Sequence, residues 1–195
     1  MVQGGSGFNK WILLAVPVVI VAILLIWFIG TYNALISADQ TVKQKWADVQ
    51  VQYQRRIDLI PNLVNTVQGY MQFERGLLQN ITALRTQWMS AQTVEQQVTT
   101  ANQIESTLGK IIAVVEAYPD IKSNQAVIGL MDELAGTENR ISVARMNYNE
   151  AVVNYNRLVM YIPSNFVAGI MGYQEIAPFE AIAGAEVPPV VNLSS

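Results

Sequence analysis

The stretch from Thr41 to Val67, TVKQKWADVQVQYQRRIDLIPNLVNTV, decides the fold. Its apolar residues Val42, Trp46, Val49, Tyr53, Ile57 and Ile60 recur in steps of three and four. That spacing keeps them on one helix face, whereas a strand needs steps of two. Pro61 interrupts the pattern and predicts a kink or break, because proline lacks the amide that an interior helical turn donates. The stripe resumes through Leu63, Val64, Val67, Met71, Leu78, Ile81, Leu84 and Trp88. One long first helix is therefore expected, irregular near Pro61.

Upstream, Trp11 to Ile29 reads WILLAVPVVIVAILLIWFI without a charge. As a helix it spans about 28 Å at 1.5 Å per residue, close to the ~30 Å hydrocarbon core of a bilayer. Trp11 at one edge and Trp27, Phe28 and Tyr32 at the other occupy the places of interfacial aromatics, and Lys10 gives a polar stop. Pro17 predicts a late start or a kink. The run is longer than the roughly 7–15 residues of a signal-peptide core, so an uncleaved anchor is expected. A lipoprotein is excluded by the absence of cysteine. Lys43 and Lys45 follow the span, and they favour an N-terminus outside with a cytoplasmic C-terminal domain.

Downstream, a second stripe runs Val94, Val98, Ala101, Ile104, Leu108, Ile111, Val115 and Tyr118, and it ends at Pro119. Ser123 or Asn124 then offers an N-cap for a third helix. That helix carries Val127, Met131, Leu134, Ile141, Tyr148, Val152, Tyr155 and Val159, and it stops near Pro163. No stretch alternates with period two, so the expected fold is all-α. A flank (1–10) and one transmembrane helix (11–32) precede an antiparallel bundle of three long helices (33–162). A C-terminal segment and flexible tail (163–195) close the chain. Trp46, Trp88, Tyr148 and Tyr155 are read as bundle core rather than as a ligand groove. In the tail, Phe166–Tyr173, FVAGIMGY, is too short to cross a bilayer. Three placements are open to it, packing on the bundle, shallow insertion in the bilayer interface and contact with another subunit; packing on the bundle is preferred, since the segment lacks the Lys and Arg typical of an interfacial anchor. Ala181–Ser195 reads as a flexible or extended end.

Composition narrows the chemistry. The 195 residues are 51% hydrophobic and 14% charged, with no cysteine and no histidine. Disulfides, Cys or His zinc sites, cysteine nucleophiles and imidazole bases are excluded. A net charge of −3 with scattered basic residues does not resemble a nucleic-acid binder. The GGSG at Gly4–Gly7 lacks the lysine and the βα setting of a phosphate loop, and there is no HExxH, EF-hand or GxSxG motif. Asp132 and Glu133 are adjacent and point to different sides of their helix, so with Glu138 they read as a solvated face. No catalytic residue, metal site or cofactor is expected.

The polar residues of interest lie among the apolar stripes. Arg55, Arg56, Asp58 and Asn62 flank Pro61, and Glu138, Asn139, Arg140, Arg145, Asn149, Asn154, Asn156 and Arg157 recur at about a turn on the third helix. If inward, each needs a partner, because an unpaired buried polar group costs about 1–3 kcal/mol. An interhelix network of Arg55, Arg56, Asp58, Asn62, Glu138, Asn139, Arg145 and Asn149 is expected to fix helix register. The second reading is a membrane-proximal binding or sensing module, with a polar groove near Pro61 formed by Asp58, Asn62 and the facing Glu138–Arg145 stretch.

Four blocks resemble the LemA family. QRRIDLIPNLVNTVQGYMQFE (54–74) is similar to its RRxDLIPNLVxTVxGY segment. YPDIKSN (118–124) resembles YPxLKAN, and ELAGTENRISVARMNYNEAVVNYN (133–156) resembles ELxxTENxIxxxRxxYNxxVxxYN. PSNFVAGIMGYQEIAPFE (163–180) is similar to the family's end, with Gly172-Tyr173 in place of Gly-Phe. The resemblance implies a membrane-anchored helical domain with its bulk in the cytoplasm. The function expected from the whole sequence is non-enzymatic: a membrane-tethered bundle that self-associates or scaffolds partners. The partners expected are membrane lipid, further copies of the chain and other membrane proteins.

Overall fold

The computed structural model describes residues 6–69 and 75–179, with side chains from Ala15 onward. Among these residues there are six helices and no strand: α1 (Ser6–Val67), α2 (Arg75–Ser90), α3 (Val94–Ala117), α4 (Pro119–Lys122), α5 (Gln125–Met160) and α6 (Ser164–Met171). The flexible end expected at 181–195, the side chain of Trp11 and the stripe residue Met71 lie outside the described residues.

The apolar run and the first amphipathic stripe form a single helix, α1, which continues through Pro17 and Pro61. Of the kink or break expected near Pro61, the break is absent. An interior proline costs about 3 kcal/mol. Ile57, Ile60 and Leu63 surround it and are at most 1% exposed, and each buried side chain of this size is worth about 1.5–3 kcal/mol. Burial on both sides of the proline outweighs the lost hydrogen bond. The chain leaves the helix at Gln68 and Gly69 instead, and the remainder of the stripe becomes a separate helix, α2.

The described residues fall into two compact units that share α1 and α5: one holds α1 up to Gln44 with Glu150–Ala177, the other the described part of Lys45–Asn149 with Pro178 and Phe179. The second is an antiparallel bundle. Gln50 of α1 meets Gln97, and Tyr53 meets Glu105, so α1 and α3 run the same way. Trp46 meets Tyr148, and Arg56 meets Glu138, so α5 runs against α1. The residues between α2 and α3 are few enough to force a hairpin. Thr93 opens α3 with a capping box, its hydroxyl accepting from Gln96 N while the Gln96 side chain accepts from Thr93 N. Asn124, one of the two expected caps, accepts from Ala126 N at 2.9 Å at the start of α5. The interior is the predicted stripes: Trp46, Val49, Tyr53, Ile57, Ile81, Leu84, Trp88, Ile104, Leu108, Ile111, Leu134, Ile141 and Tyr148 are all buried.

In the first unit, Leu35 of α1 packs on Val167 and Ala168 of α6, with Phe28, Tyr32, Leu158, Val159 and Tyr173 around them. This segment thus packs through its inner face within the first unit, on α1. Gly172, at φ +76°, ends α6 in the left-handed conformation that only glycine adopts freely, and Tyr173 N then reaches Ala168 O at 3.0 Å. The stretch that follows is tied to α5: the Tyr155 hydroxyl donates to Gln174 O at 2.8 Å, and the Asn156 amide both donates to and accepts from the Ile176 backbone at 2.8 and 3.0 Å. Val16 to Ile26 present their apolar side chains outward, as a lipid-facing helix does.

Candidate functional site

The polar centre of the bundle is assembled from three helices. Arg56 on α1 falls between Tyr53 and Ile57 of the apolar stripe, so helical periodicity turns it inward; its side chain is 5% exposed. Glu105 on α3 sits one residue past Ile104 and three before Leu108, on the same inner face. Arg145 on α5 lies between Ile141 and Tyr148 in the same way. Glu138, about two turns earlier on α5, is half exposed.

Each of these four charges meets an opposite charge, although Arg56 Nε and Nη1 and Arg145 Nε are buried without a hydrogen-bond partner among the described residues. Arg145 Nη2 donates to Glu105 Oε1 and to the Tyr53 hydroxyl, and that hydroxyl in turn donates to Glu105 Oε1 at 2.6 Å. Arg56 Nη2 donates to Glu138 Oε2, while its Nη1 lies 3.7 Å from Glu105 Oε1. Two guanidiniums thus face two carboxylates, with Glu105 shared. Aromatic rings close the site. The Arg145 guanidinium stacks over Phe179 at 4.3 Å and lies 5.4 Å from the Tyr53 ring, and Trp88 packs on Tyr53 at 4.9 Å. Burial pushes the Tyr53 hydroxyl well above the ordinary tyrosine range, and the Glu105 charge adds to this while Arg145 opposes it. The hydroxyl is a fixed donor at neutral pH.

Asn149, a turn beyond Arg145, holds the chain that carries Phe179. Its side-chain amide donates to Phe179 O at 3.0 Å and accepts from Phe179 N at 2.7 Å. An extended segment is so laid across α5, and its ring becomes the lid over Arg145.

The eight residues expected to form one network separate into two groups. Arg56, Glu138 and Arg145 meet in it, and Asn149 fixes its aromatic cover. Arg55, Asp58, Asn62 and Asn139 lie on exposed faces. Asp58 accepts from Gln54 at 2.8 Å along the helix surface, and Asn62 offers its carbonyl to Thr66. The physical reason is angular: at about 100° per residue, Asp58 and Asn62 point some 200–240° away from Arg56. They do not join Glu138–Arg145 in a groove, as the second reading requires. Of the interfacial aromatics, Trp27 is exposed while Phe28 and Tyr32 turn partly onto α6.

Glu105 and the Tyr53 hydroxyl are the members that sequence reasoning missed. A signal for Glu105 existed. It stands at the inward position of the α3 stripe, four residues after Ala101, where a lone acid among apolar neighbours requires a cation. Phe179 carried no such signal, because an extended tail has no helical phase.

The arrangement suits holding helices in one register. Both carboxylates are occupied by guanidinium donors, and the phenol is held protonated.

Relatives place this architecture. The magnetosome protein MamQ 2 of Paramagnetospirillum magneticum is 24% identical over 202 residues, covering 90% of this chain and 74% of its own length. Protein LemA of Metamycoplasma hominis is 23% identical over 177 residues, covering 90% of this chain and 81% of its own. The magnetosome protein MamQ of Magnetospirillum gryphiswaldense is 21% identical over 203 residues, with 91% and 75% covered. The LemA family model matches residues 45–193, a span that includes the buried pairs, the Asn149 clamp and α6. Sequence, fold and match agree that this membrane-associated helical chain belongs to the LemA family.

Proposed function

We propose that this chain is a non-enzymatic scaffold that associates with its own copies at the membrane surface, its C-terminal domain in the cytoplasm. The observation that carries the reading is the division of its side chains. Arg56, Arg145, Glu105 and Glu138 pair with one another at the polar centre of the bundle, while uncharged apolar groups stand on its outer faces. Val51 and Met89 are more than half exposed at the edge of an open groove that Ala47, Gln50, Gln54 and Gln97 complete. Val143 and Met146, one turn apart on α5, are likewise exposed. Such faces, apolar spots set among amides, fit lateral protein contact. Anchoring every copy in one plane raises their effective concentration, so weak contacts suffice. Lys43 and Lys45 after the span favour the cytoplasmic side for the domain.

The test is cross-linking of the full chain in native lipid through single cysteines, which the cysteine-free sequence permits without background. Cysteines replacing Met89 or Met146 should form dimers and larger species that a cysteine replacing Asn139 does not. Strictly monomeric particles at high protein density in lipid refute self-association. An impermeant thiol reagent acting on cysteines placed at Ser6 and at Ser123 reads sidedness: Ser6→Cys should react in intact cells and Ser123→Cys only after lysis.

A further inference from the structure

The helix α6 has two faces of different fate. Val167 and Ala168 are buried against Leu35. On the other side Phe166 is 64% and Ile170 74% exposed, and just before the helix Tyr161 and Ile162 are 63% and 77% exposed. No charged residue occurs between Arg157 and Glu175. Large apolar side chains standing open in a charge-free segment require a cover.

The packing of α6 fixes its depth. It touches α1 from Phe28 to Leu35, and the apolar run that faces lipid ends at Ile29. From Ile29 to Leu35 a helix rises about 9 Å. The interfacial layer between hydrocarbon and water is about 5–8 Å thick on each side, half the difference between the full bilayer and its core. The exposed face of α6 thus belongs to the same compact unit as the span and lies level with the boundary where acyl chains meet headgroups.

We propose that residues 161–170 are a second membrane contact, in which Tyr161, Ile162, Phe166 and Ile170 insert shallowly into the bilayer interface beside the spanning helix. The occupant of this face is lipid. Its chemistry is that of the upper acyl chains next to the glycerol layer rather than of anionic headgroups, because the segment offers no Lys or Arg to bind charge. Burial of apolar side chains drives the contact, and it does not depend on anionic lipid. The proposal rests on the membrane-anchored reading, since α1 supplies the local reference for depth.

The experiment places an environment-sensitive fluorophore on single cysteines of the full chain, reconstituted in phosphatidylcholine nanodiscs at one copy per disc. Labelled sites are Ile170→Cys, Phe166→Cys, Ile26→Cys in the span and Asn139→Cys on an exposed bundle face. Lipid carrying a nitroxide near the top of its acyl chain should quench the labels at 166 and 170 at least twofold more than the label at 139. Added phosphatidylglycerol should leave that ratio unchanged. Quenching at 166 and 170 equal to that at 139, with free access to aqueous iodide, overturns the proposal. Labels shielded from iodide but untouched by the nitroxide lipid also overturn it and assign the face to protein. A label at 26 that escapes nitroxide quenching removes the membrane span itself, a failure distinct from that of α6.

Discussion

Replacing Glu105 by Gln tests the central packing claim. The substitution keeps the shape and an acceptor oxygen for the Tyr53 hydroxyl and Arg145, but it removes the charge that Arg145 and Arg56 share. Arg145, 17% exposed, then has no carboxylate partner, and Arg56, 5% exposed, keeps only Glu138. Leaving a buried charge without its partner costs about 3–5 kcal/mol, a large part of the ~5–15 kcal/mol that stabilises a domain. Glu138→Gln is the internal comparison. Its carboxylate is 52% exposed, Arg56 keeps Glu105 nearby, and exposed pairs are worth about 0–1 kcal/mol. Urea unfolding of the full chain in detergent, followed by the fluorescence of Trp88 beside Tyr53, separates the two variants. The expected difference is at least ~2 kcal/mol, with an unchanged dependence on denaturant. Adding Arg145→Met to Glu105→Gln should restore more than ~1 kcal/mol, because removing both members of a buried pair costs less than stranding one. Equal losses in Glu105→Gln and Glu138→Gln, or strict additivity in the double variant, would refute the shared-carboxylate account.

Alkaline pH acts through the buried phenols. Tyr53 is held above its ordinary value chiefly by burial, and burial also raises Tyr148 and Tyr155. The folded state retains protons that the unfolded chain releases near pH 10, so this stability is complete below pH 10 and declines above it, by about 1.4 kcal/mol per pH unit per retained proton. Denaturation curves from pH 8 to 11 should show that decline, and Tyr53→Phe should make it shallower; an identical slope in the variant would contradict the assignment. Gly172 stands at φ +76° with open space where a Cβ would project, so Gly172→Ala meets backbone strain alone. A cost of about 1 kcal/mol or more, read as faster proteolysis at α6, is expected, and Gly172→Asn should lose less than Gly172→Ala because asparagine tolerates this conformation better.

Much of the fold was legible because helical burial is periodic. Steps of three and four set Val49, Tyr53, Ile57 and Ile60 on one side, and the structure buries all four. The same periodicity turned Arg56 inward, and read a little further it would have set Glu105 beside Ile104. It also argues against Asp58 and Asn62 as partners, since their angular positions lie opposite. The behaviour at Pro61 was not legible. Local chemistry asks for a break there, and only the buried side chains on either side supply enough free energy to carry the helix through to Val67.

By itself, the order of residues determined that the chain is helical, that one apolar run is long enough to anchor it, and which side chains form the core. These properties depend on local spacing and on transfer from water, which a single helix already expresses. Tertiary structure alone decided that Glu105 bridges two arginines, that Asn149 draws Phe179 over one of them, and that α6 keeps one apolar face open beside the end of the span. Those outcomes depend on which surfaces meet across long separations in sequence, and a periodic pattern carries no record of its partner.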